Sequence, residues 1–264
     1  MVEELNSILA VERRKRIAQL VESNGSINYA DLERSFGVSR MTLYRDLKAL
    51  EGMNRLRCVR GGAVRLDNAV ISEPMPSKKR ALHRREKELI GRFAAQNFVR
   101  EGDFIVLEAG TTAACMIKHL ARPGVTLISN GLETIREATN LLPTVTVMGC
   151  GGILREPSYT FVGPQAEMFF AQLRAHTAFL SASGLTLENG LMDPNPLEIQ
   201  VKRAMVACAE RLVVLMDSSK FGVRSLLQTL PLDQVDVLIT DDRITDKFAE
   251  ELRARGIDLR VVLA

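Results

Sequence analysis

Val38-Ser39-Arg40-Met41-Thr42-Leu43-Tyr44-Arg45-Asp46-Leu47, preceded by Ile27-Asn28-Tyr29-Ala30-Asp31-Leu32-Glu33-Arg34-Ser35-Phe36-Gly37, reads as helix, tight turn and second helix. Gly37 stands where the first helix must stop, because glycine takes up the left-handed backbone of a helix C-terminus without a Cβ clash. Ser39 suits the N-cap of the next helix, its hydroxyl accepting from an orphan backbone N–H. Leu32, Phe36, Val38, Leu43, Leu47 and Leu50 supply the apolar contacts that hold the two helices at an angle. Arg40, Met41, Thr42, Tyr44, Arg45 and Lys48 are left on the outer face or its edges. A helix presented in this way fits a DNA major groove.

The next residues, Asn54-Arg55-Leu56-Arg57-Cys58-Val59-Arg60-Gly61-Gly62-Ala63-Val64-Arg65-Leu66, alternate arginines with apolar side chains across a Gly-Gly pair, the pattern of a hairpin wing. Residues 40 to 66 hold Arg40, Arg45, Lys48, Arg55, Arg57, Arg60 and Arg65 against Asp46 and Glu51, whereas the whole chain carries a formal charge of only +3. The cationic excess is concentrated where phosphates would be neutralised and counterions released. A solvated basic face on a small helical domain would explain the charge, but not the turn, cap, apolar spacing and wing together. Ser39, Arg40, Thr42, Tyr44, Arg45, Lys48, Arg57 and Arg60 are therefore the candidate contacts to a double-stranded DNA partner.

At 264 residues and 46% hydrophobic content, the chain can build one or two domains with a sizeable core. No apolar run approaches the roughly 18 to 20 residues of a membrane span, and Met1-Val2-Glu3-Glu4 lacks a basic region followed by an apolar one. A soluble, cytoplasmic protein is expected. Cys58, Cys115, Cys150 and Cys208 are widely separated, as are His83, His119 and His176. Neither a metal site, a disulfide framework nor a cofactor is expected from them.

Composition shifts divide the chain into a DNA-binding domain at 1–66, a linker at 67–77 and an α/β domain at 78–264. The linker, Leu66-Asp67-Asn68-Ala69-Val70-Ile71-Ser72-Glu73-Pro74-Met75-Pro76-Ser77, carries two prolines and no clear strand alternation. Lys79 to Arg100 then reads as an amphipathic helix with Leu82, Leu89, Ile90, Phe93, Ala94 and Phe98 on its apolar face. From Asp103 onward, apolar runs at 104–107, 125–128, 145–148, 177–180, 212–216, 235–239 and 259–263 are candidate strands, most of them reading as buried on both faces. Helical patterns lie between them at about 112–121, 132–141, 163–173, 196–210 and 245–255. This alternation predicts a largely parallel, Rossmann-like sheet covered by helices on both faces, with a ligand beyond the carboxyl ends of its strands.

Polar and glycine-rich turns fall at those ends. Glu108-Ala109-Gly110-Thr111-Thr112 opens a helix, so its N–H groups and hydroxyls suit a phosphate, although an ordinary helix cap would look the same. Ser129-Asn130-Gly131, Gly149-Cys150-Gly151-Gly152, Ser181-Ala182-Ser183-Gly184 and Asp217-Ser218-Ser219-Lys220 follow the next strands. Lys220 reads as a point charge for phosphate or carboxylate, with a solvated loop lysine as the competing reading.

Together these features resemble the DeoR family of transcriptional regulators along essentially the whole chain. The first domain carries Val38-Ser39, Thr42-Leu43, Arg45-Asp46-Leu47, Leu50-Glu51 and Gly61-Gly62-Ala63. The second carries Gly110-Thr111-Thr112, Asn130, Gly151-Gly152, Gly163, Gly184, Gly190, Glu198, Lys202 and Asp217-Ser218-Ser219-Lys220-Phe221-Gly222. The resemblance implies a winged helix-turn-helix joined to a sensor domain similar to ribose-phosphate isomerases and CoA transferases, with a phosphorylated sugar or related metabolite as effector. It implies regulation, usually repression, of carbohydrate-use genes. The expected effector contacts are Glu108, Gly110, Thr111, Thr112, Asn130, Gly151, Gly152, Gly184, Glu198, Lys202 and Lys220.

Three positions depart from the family pattern: Tyr44 stands where arginine is common, Arg60 where histidine is usual, and Glu108 where aspartate is usual. A homodimer or homotetramer would offer two recognition helices to a pseudo-palindromic operator, and a metabolite preferring the DNA-incompetent arrangement would release it. A co-repressor with the opposite preference is the same mechanism with its sign reversed. The competing class is a sugar-phosphate isomerase with an appended DNA-binding domain, using Glu108, Asp193 or Glu198 as base. The helix-turn-helix disfavours it, since an isomerase has no use for one. A structural nucleic-acid-binding protein without a ligand leaves the convergent turns unexplained.

Overall fold

Two units, Met1–Asp67 and Asn68–Ala264, make up the chain in a computed structural model that describes residues 2–24, 26–53, 55–59, 61–64, 69–70, 76–156 and 158–263. The first contains α1 (Val2–Asn24), β1 (Ser26–Asn28), α2 (Tyr29–Phe36), α3 (Arg40–Gly52), β2 (Arg57–Val59) and β3 (Gly62–Val64). Asn28 caps α2 by accepting from the Asp31 N–H at 2.8 Å, and Gly37 ends it at φ 60° with its own N–H on the Glu33 carbonyl. β2 and β3 form the expected wing hairpin, pairing Arg57 with Val64 and Val59 with Gly62. Sequence periodicity did not reveal two further parts. β1 adds a third strand to β3, and α1 contributes Ile17, Ala18 and Val21 to the core of Leu32, Leu43, Leu47, Leu50, Leu56 and Ala63. The close approach of β1 explains Gly62, where a Cβ would lie 2.0 Å from the Ile27 carbonyl oxygen.

Asp46 is not the surface charge that a count over 40–66 makes it. It falls on the apolar stripe of α3 with Leu43, Leu47 and Leu50, is buried, and accepts from Arg13 Nε at 2.6 Å and Arg14 Nε at 2.7 Å. This pairing ties α1 to α3.

The second unit runs through β4 (Ala69–Val70), α4 (Pro76–Ala81), α5 (Arg84–Phe98), β5 (Phe104–Leu107), α6 (Thr111–Ala114), β6 (Thr126–Ser129), α7 (Leu132–Ala138) and β7 (Thr146–Gly149). It continues through β8 (Ile153–Arg155), β9 (Thr160–Val162), α8 (Pro164–Ala171), β10 (Thr177–Leu180), β11 (Gly184–Thr186), β12 (Gly190–Asp193), α9 (Pro196–Ala207) and β13 (Leu212–Leu215). It ends with β14 (Arg224–Ser225), β15 (Leu227–Leu230), β16 (Val237–Asp241), α10 (Asp246–Ala254) and β17 (Asp258–Val262). The seven anticipated strands form one parallel sheet in the order β17-β16-β13-β10-β5-β6-β7. Alternate residues feed two cores, one on each face. Val106, Ala178 and Val214 join Phe170, Val201, Met205 and Leu252 from α8, α9 and α10. Ile105, Phe179 and Val213 join Ile90, Ala94, Ala113 and Ala138 from α5, α6 and α7. The fold is thus a winged helix-turn-helix followed by a doubly wound parallel α/β domain.

Several local expectations change. The helix expected at 112–121 is the single turn α6 followed by a 3₁₀ turn at Ile117–His119. The helix expected over 79–100 breaks at His83, whose φ of 53° separates α4 from α5. β7 is a half-exposed edge strand rather than a doubly buried one. Within the expected linker, Ala69 and Val70 pair with Arg224 and Ser225 as a strand of the second unit. Outside the sheet, β11, β12 and β15 form a small antiparallel layer and β8 and β9 a hairpin, neither of which the sequence analysis anticipates. No helix among the described residues is long and apolar enough to cross a membrane.

Candidate DNA interface and effector site

On α3, Ser39 is the N-cap, its Oγ accepting from the Thr42 N–H at 3.4 Å and lying 3.0 Å from the Thr42 hydroxyl. Arg40 places its guanidinium 4.9 Å from the Tyr29 ring centroid, a cation–π contact that pre-sets its direction. Met41, Tyr44 and Arg45 are exposed on the same helix. Lys48 is exposed as well, but its ammonium pairs with Glu51 at 2.7 Å, and the other Glu51 oxygen accepts from the Cys58 N–H of β2 at 2.8 Å. Those two donors hold the Glu51 carboxyl below its ordinary range. Lys48 thereby belongs to a brace between recognition helix and wing, which leaves Arg40, Tyr44 and Arg45 as the candidate contacts presented outward, beside the exposed Met41. Of the wing candidates, the Arg57 side chain and the whole of Arg60 lie outside the described residues.

Arg45→Ala is expected to weaken operator binding with little change in stability, because an exposed helical side chain is removed and nothing is left unpaired. If Arg45 contacts a phosphate, the slope of log affinity against log salt flattens by about one unit. Anisotropy titrations of promoter DNA across a salt series decide it, and unchanged affinity throughout would remove Arg45 from the interface.

In the second unit, the chain leaves β5 for β6 and β7 on one side and returns to β10 on the other, so the topological switch lies between β5 and β10. A parallel sheet opens its ligand crevice there, at the carboxyl ends. Glu108 follows β5 and Ser181 follows β10. Glu108 is buried, accepting through Oε2 from the Gly110 N–H at 2.7 Å and the Ser181 N–H at 3.3 Å. Burial raises its pKa, against the pull of Lys202. A Cβ on Gly110 would meet Glu108 Oε2 at 2.4 Å and Ser181 Oγ at 2.7 Å, so only glycine fits this junction. Asn130, at the end of β6, donates to the Phe161 carbonyl at 3.5 Å, while its buried Oδ1 has no partner among the described residues. Ser181 Oγ is likewise buried without a partner. Such orphaned polar atoms are costly unless something else satisfies them.

Thr111 and Thr112 open α6, and the Gly110 N–H is already taken by Glu108. A one-turn helix has little macrodipole, so any anion here relies on the remaining N–H groups, the hydroxyls and Lys220 rather than on a helix field. The Lys220 side chain is mostly withdrawn from solvent, and its ammonium has no hydrogen bond or ion pair among the described residues. Burial lowers its pKa.

Other expected contacts have packing roles in this geometry. Lys202 is buried and saturated: its ammonium bonds Asp193 Oδ2 at 2.8 Å and the Ser181 carbonyl at 2.8 Å, and lies 3.6 Å from Glu108 Oε1. Burial alone would lower its pKa, but Asp193 and Glu108 more than reverse this and raise it. Glu198 Oε1 accepts from Arg155 and from Thr160 Oγ1, each at 2.9 Å, joining α9 to the β8–β9 hairpin. Gly184 is explained by the Val223 carbonyl oxygen 2.2 Å from a would-be Cβ, and Gly152 by the Val162 carbonyl oxygen at 2.8 Å. Gly151 has open space around it and a left-handed backbone, φ 66°. Asp193, a possible base in the isomerase reading, has a structural role here. Besides Lys202, it accepts from Ser183 N–H and Oγ at 2.9 Å and from Thr229 Oγ1 at 2.8 Å, which makes it the centre of a buried hydrogen-bond network.

Residues 13–69 match the model of the DeoR-like helix-turn-helix domain, and residues 82–242 match that of the DeoR C terminal sensor domain. The chain belongs to the DeoR family. It is 33% identical to the transcriptional repressor AccR of Agrobacterium fabrum, over 93% of this chain and 96% of that one. It is 32% identical to a putative aga operon transcriptional repressor of Escherichia coli, over 95% and 93% respectively. The HTH-type transcriptional regulator GolR of Listeria innocua is also 32% identical, over 95% of this chain and 98% of its own. Among solved structures, ribose 5-phosphate isomerase A of Methanocaldococcus jannaschii aligns with 51% of this chain and 53% of its own, at 20% identity and a TM-score of 0.37. As a DeoR-family protein the chain is a DNA-binding transcriptional regulator, not an isomerase with an added domain.

Proposed function

We propose that this DeoR-family chain represses genes of carbohydrate use and is released from its operator by a phosphorylated sugar bound at the switch between β5 and β10. The observation that carries this reading is a set of groups at the carboxyl ends of β6, β10 and β13 that have no hydrogen-bond or ion-pair partner among the described residues: Asn130 Oδ1 and Ser181 Oγ, both buried, and the Lys220 ammonium. Phosphate on Lys220, Thr111 and Thr112, with sugar hydroxyls on Asn130, Ser181 and Glu108, would satisfy them all. A half-buried unpaired ammonium is best compensated by an anion, and the orphaned amide and hydroxyl oxygens by polar hydrogens. The names of two relatives, both repressors, support the sign of regulation. The protein works in the cytoplasm as a homodimer or homotetramer, since two recognition helices match a pseudo-palindromic operator.

A panel of phosphorylated sugars, scored by thermal stabilisation of the full chain and by release from promoter DNA, tests the proposal. Lys220→Ala should raise the sugar-phosphate concentration needed for release about tenfold or more, the loss expected for one charge-assisted contact. Release at the wild-type concentration would remove Lys220 from the effector site.

A further inference from the structure

Lys87 is a buried cation that neither the family resemblance nor the contacts above employ. It lies on the apolar stripe of α5 with Ile90, Gly91 and Ala94, and is 5% exposed. Among the described residues its ammonium donates one hydrogen bond, to the backbone carbonyl of Lys79 in α4, and forms no ion pair. An ammonium has three donors, and one carbonyl is poor compensation for burying it.

The surroundings place Lys87 beside the effector crevice. The charges that act on it are those of Asp217, Lys220 and Lys79, and burial lowers its pKa. Asp217 is itself buried, with Oδ2 unpartnered among the described residues. α5 meets the end of α6 so closely that a Cβ on Gly91 would lie 2.7 Å from the Cys115 backbone. The first turn of α5 is also tied to the Lys220 turn. Glu86 pairs with Arg243, whose N–H bonds Asp241 Oδ1 at 3.1 Å, and the Asp241 carboxylate holds Ser218 through its N–H at 2.7 Å and its hydroxyl at 2.8 Å. Lys87, Lys220 and the single turn α6 are thus parts of one braced frame, in which Glu86 and Asp241 are taken up by Arg243 and Ser218 while Lys87 has no ion pair among the described residues.

We propose that Lys87 is a second ligand to the phosphate group of the effector, and that it exchanges the Lys79 carbonyl for that phosphate on binding. The inference rests on the effector site proposed above and adds a route out of it. α4 directly follows 71–75 in the chain, the stretch that leads back to the DNA-binding unit. Releasing the Lys79 carbonyl removes one of the ties of α4 when the site fills, alongside the Arg80–Glu133 pair that stays, so occupancy is passed on toward the connecting segment. Free phosphate and a phosphate monoester offer the same chemistry to Lys87, and only the monoester also reaches Asn130 and Ser181.

The test uses the full chain with inorganic phosphate and, in parallel, ribose 5-phosphate, reading the melting temperature and hydrogen exchange over 76–83. Lys87→Gln should raise the half-saturating phosphate concentration about tenfold, as Lys220→Ala does, while Lys87→Arg retains most of the wild-type affinity. Without phosphate, Lys87→Gln should melt at or above the wild-type temperature, because a poorly compensated charge has been removed. Melting several degrees lower would make Lys87 a structural brace and overturn the inference. In the wild type, phosphate should speed exchange in α4, and in Lys87→Gln it should not. Weakened binding in Lys220→Ala with full affinity in Lys87→Gln would overturn the inference and leave the effector site standing. Unaltered α4 exchange would overturn the coupling. A wild type that responds to neither probe would overturn both the site and the inference. Tighter binding of ribose 5-phosphate than of phosphate would identify a monoester as the ligand.

Discussion

Replacing Lys202 with Met is expected to lower the melting temperature of the second unit by on the order of 10 °C, the consequence of about 3–5 kcal/mol lost when a buried ion network loses its cation. Met keeps the length and apolar stem of the side chain, so the change is nearly pure charge removal. What remains is the Asp193 carboxylate, 2.8 Å from the former ammonium, and Glu108 at 3.6 Å, both buried. Asp193 still has donors in Ser183 and Thr229, and Glu108 in two backbone N–H groups, but none brings a positive charge.

The loss should depend on pH in a definite direction. Burial already raises the Glu108 pKa while Lys202 pulls it down, so removing Lys202 raises it further. A carboxyl whose folded-state pKa lies above its unfolded value binds more protons when folded, and stability then falls as pH rises through that range. The deficit of Lys202→Met should therefore be smaller at pH 5 than at pH 8, and Glu108→Gln in the same background should recover part of it. A variant melting within a degree or two of wild type at pH 8 would show that Lys202 is not needed to neutralise the crevice.

The same residues show what the sequence made legible. Apolar runs alternating with helical periods were enough for the five inner strands of the parallel sheet, because a strand buried on both faces is an unbroken apolar run whatever it packs against, and the edge strands β7 and β17 keep a mostly apolar run although they are largely exposed. The turn pair around Gly37 and Ser39 was legible because backbone conformation and capping are local properties. Charged side chains set on apolar stripes were harder to interpret. Asp46 sits with Leu43, Leu47 and Leu50, Lys87 with Ile90 and Ala94, and Glu198 and Lys202 with Val201 and Met205. Helical spacing places each of them inward, and an inward charge demands a partner, which for Asp46 and Glu198 is distant in sequence. Arg13 and Arg14 stand over thirty residues from Asp46, Arg155 stands 43 from Glu198, and Glu86 and Arg243 are 157 apart. The glycines divided in the same way: Gly37 was readable from its own backbone, whereas Gly62, Gly152 and Gly184 are required by chains packed against them.

The double variant Arg13→Ala/Arg14→Ala is expected to cost the first unit about 3–5 kcal/mol, since it strands the Asp46 carboxylate in an apolar core. A unit of this size has only about 3–10 kcal/mol of stability in total, so much of the population should unfold at physiological temperature and operator binding should go with it. The opposite deletion, Asp46→Ala, should cost less. Arg13 and Arg14 keep 16% and 31% side-chain exposure and swing into water once the carboxylate is gone, whereas Asp46 at 3% has nowhere to turn. The asymmetry follows from where the desolvation falls rather than from the hydrogen bonds, which are the same two in either case. Adding Asp46→Leu to the double variant should then restore stability, because an apolar side chain on the stripe of Leu43, Leu47 and Leu50 joins their core. Urea unfolding of the four proteins, followed by far-UV circular dichroism, measures this order directly. If Asp46→Ala proves as damaging as the double variant and leucine gives no rescue, the carboxylate acts by orienting α1 against α3, and the burial argument fails.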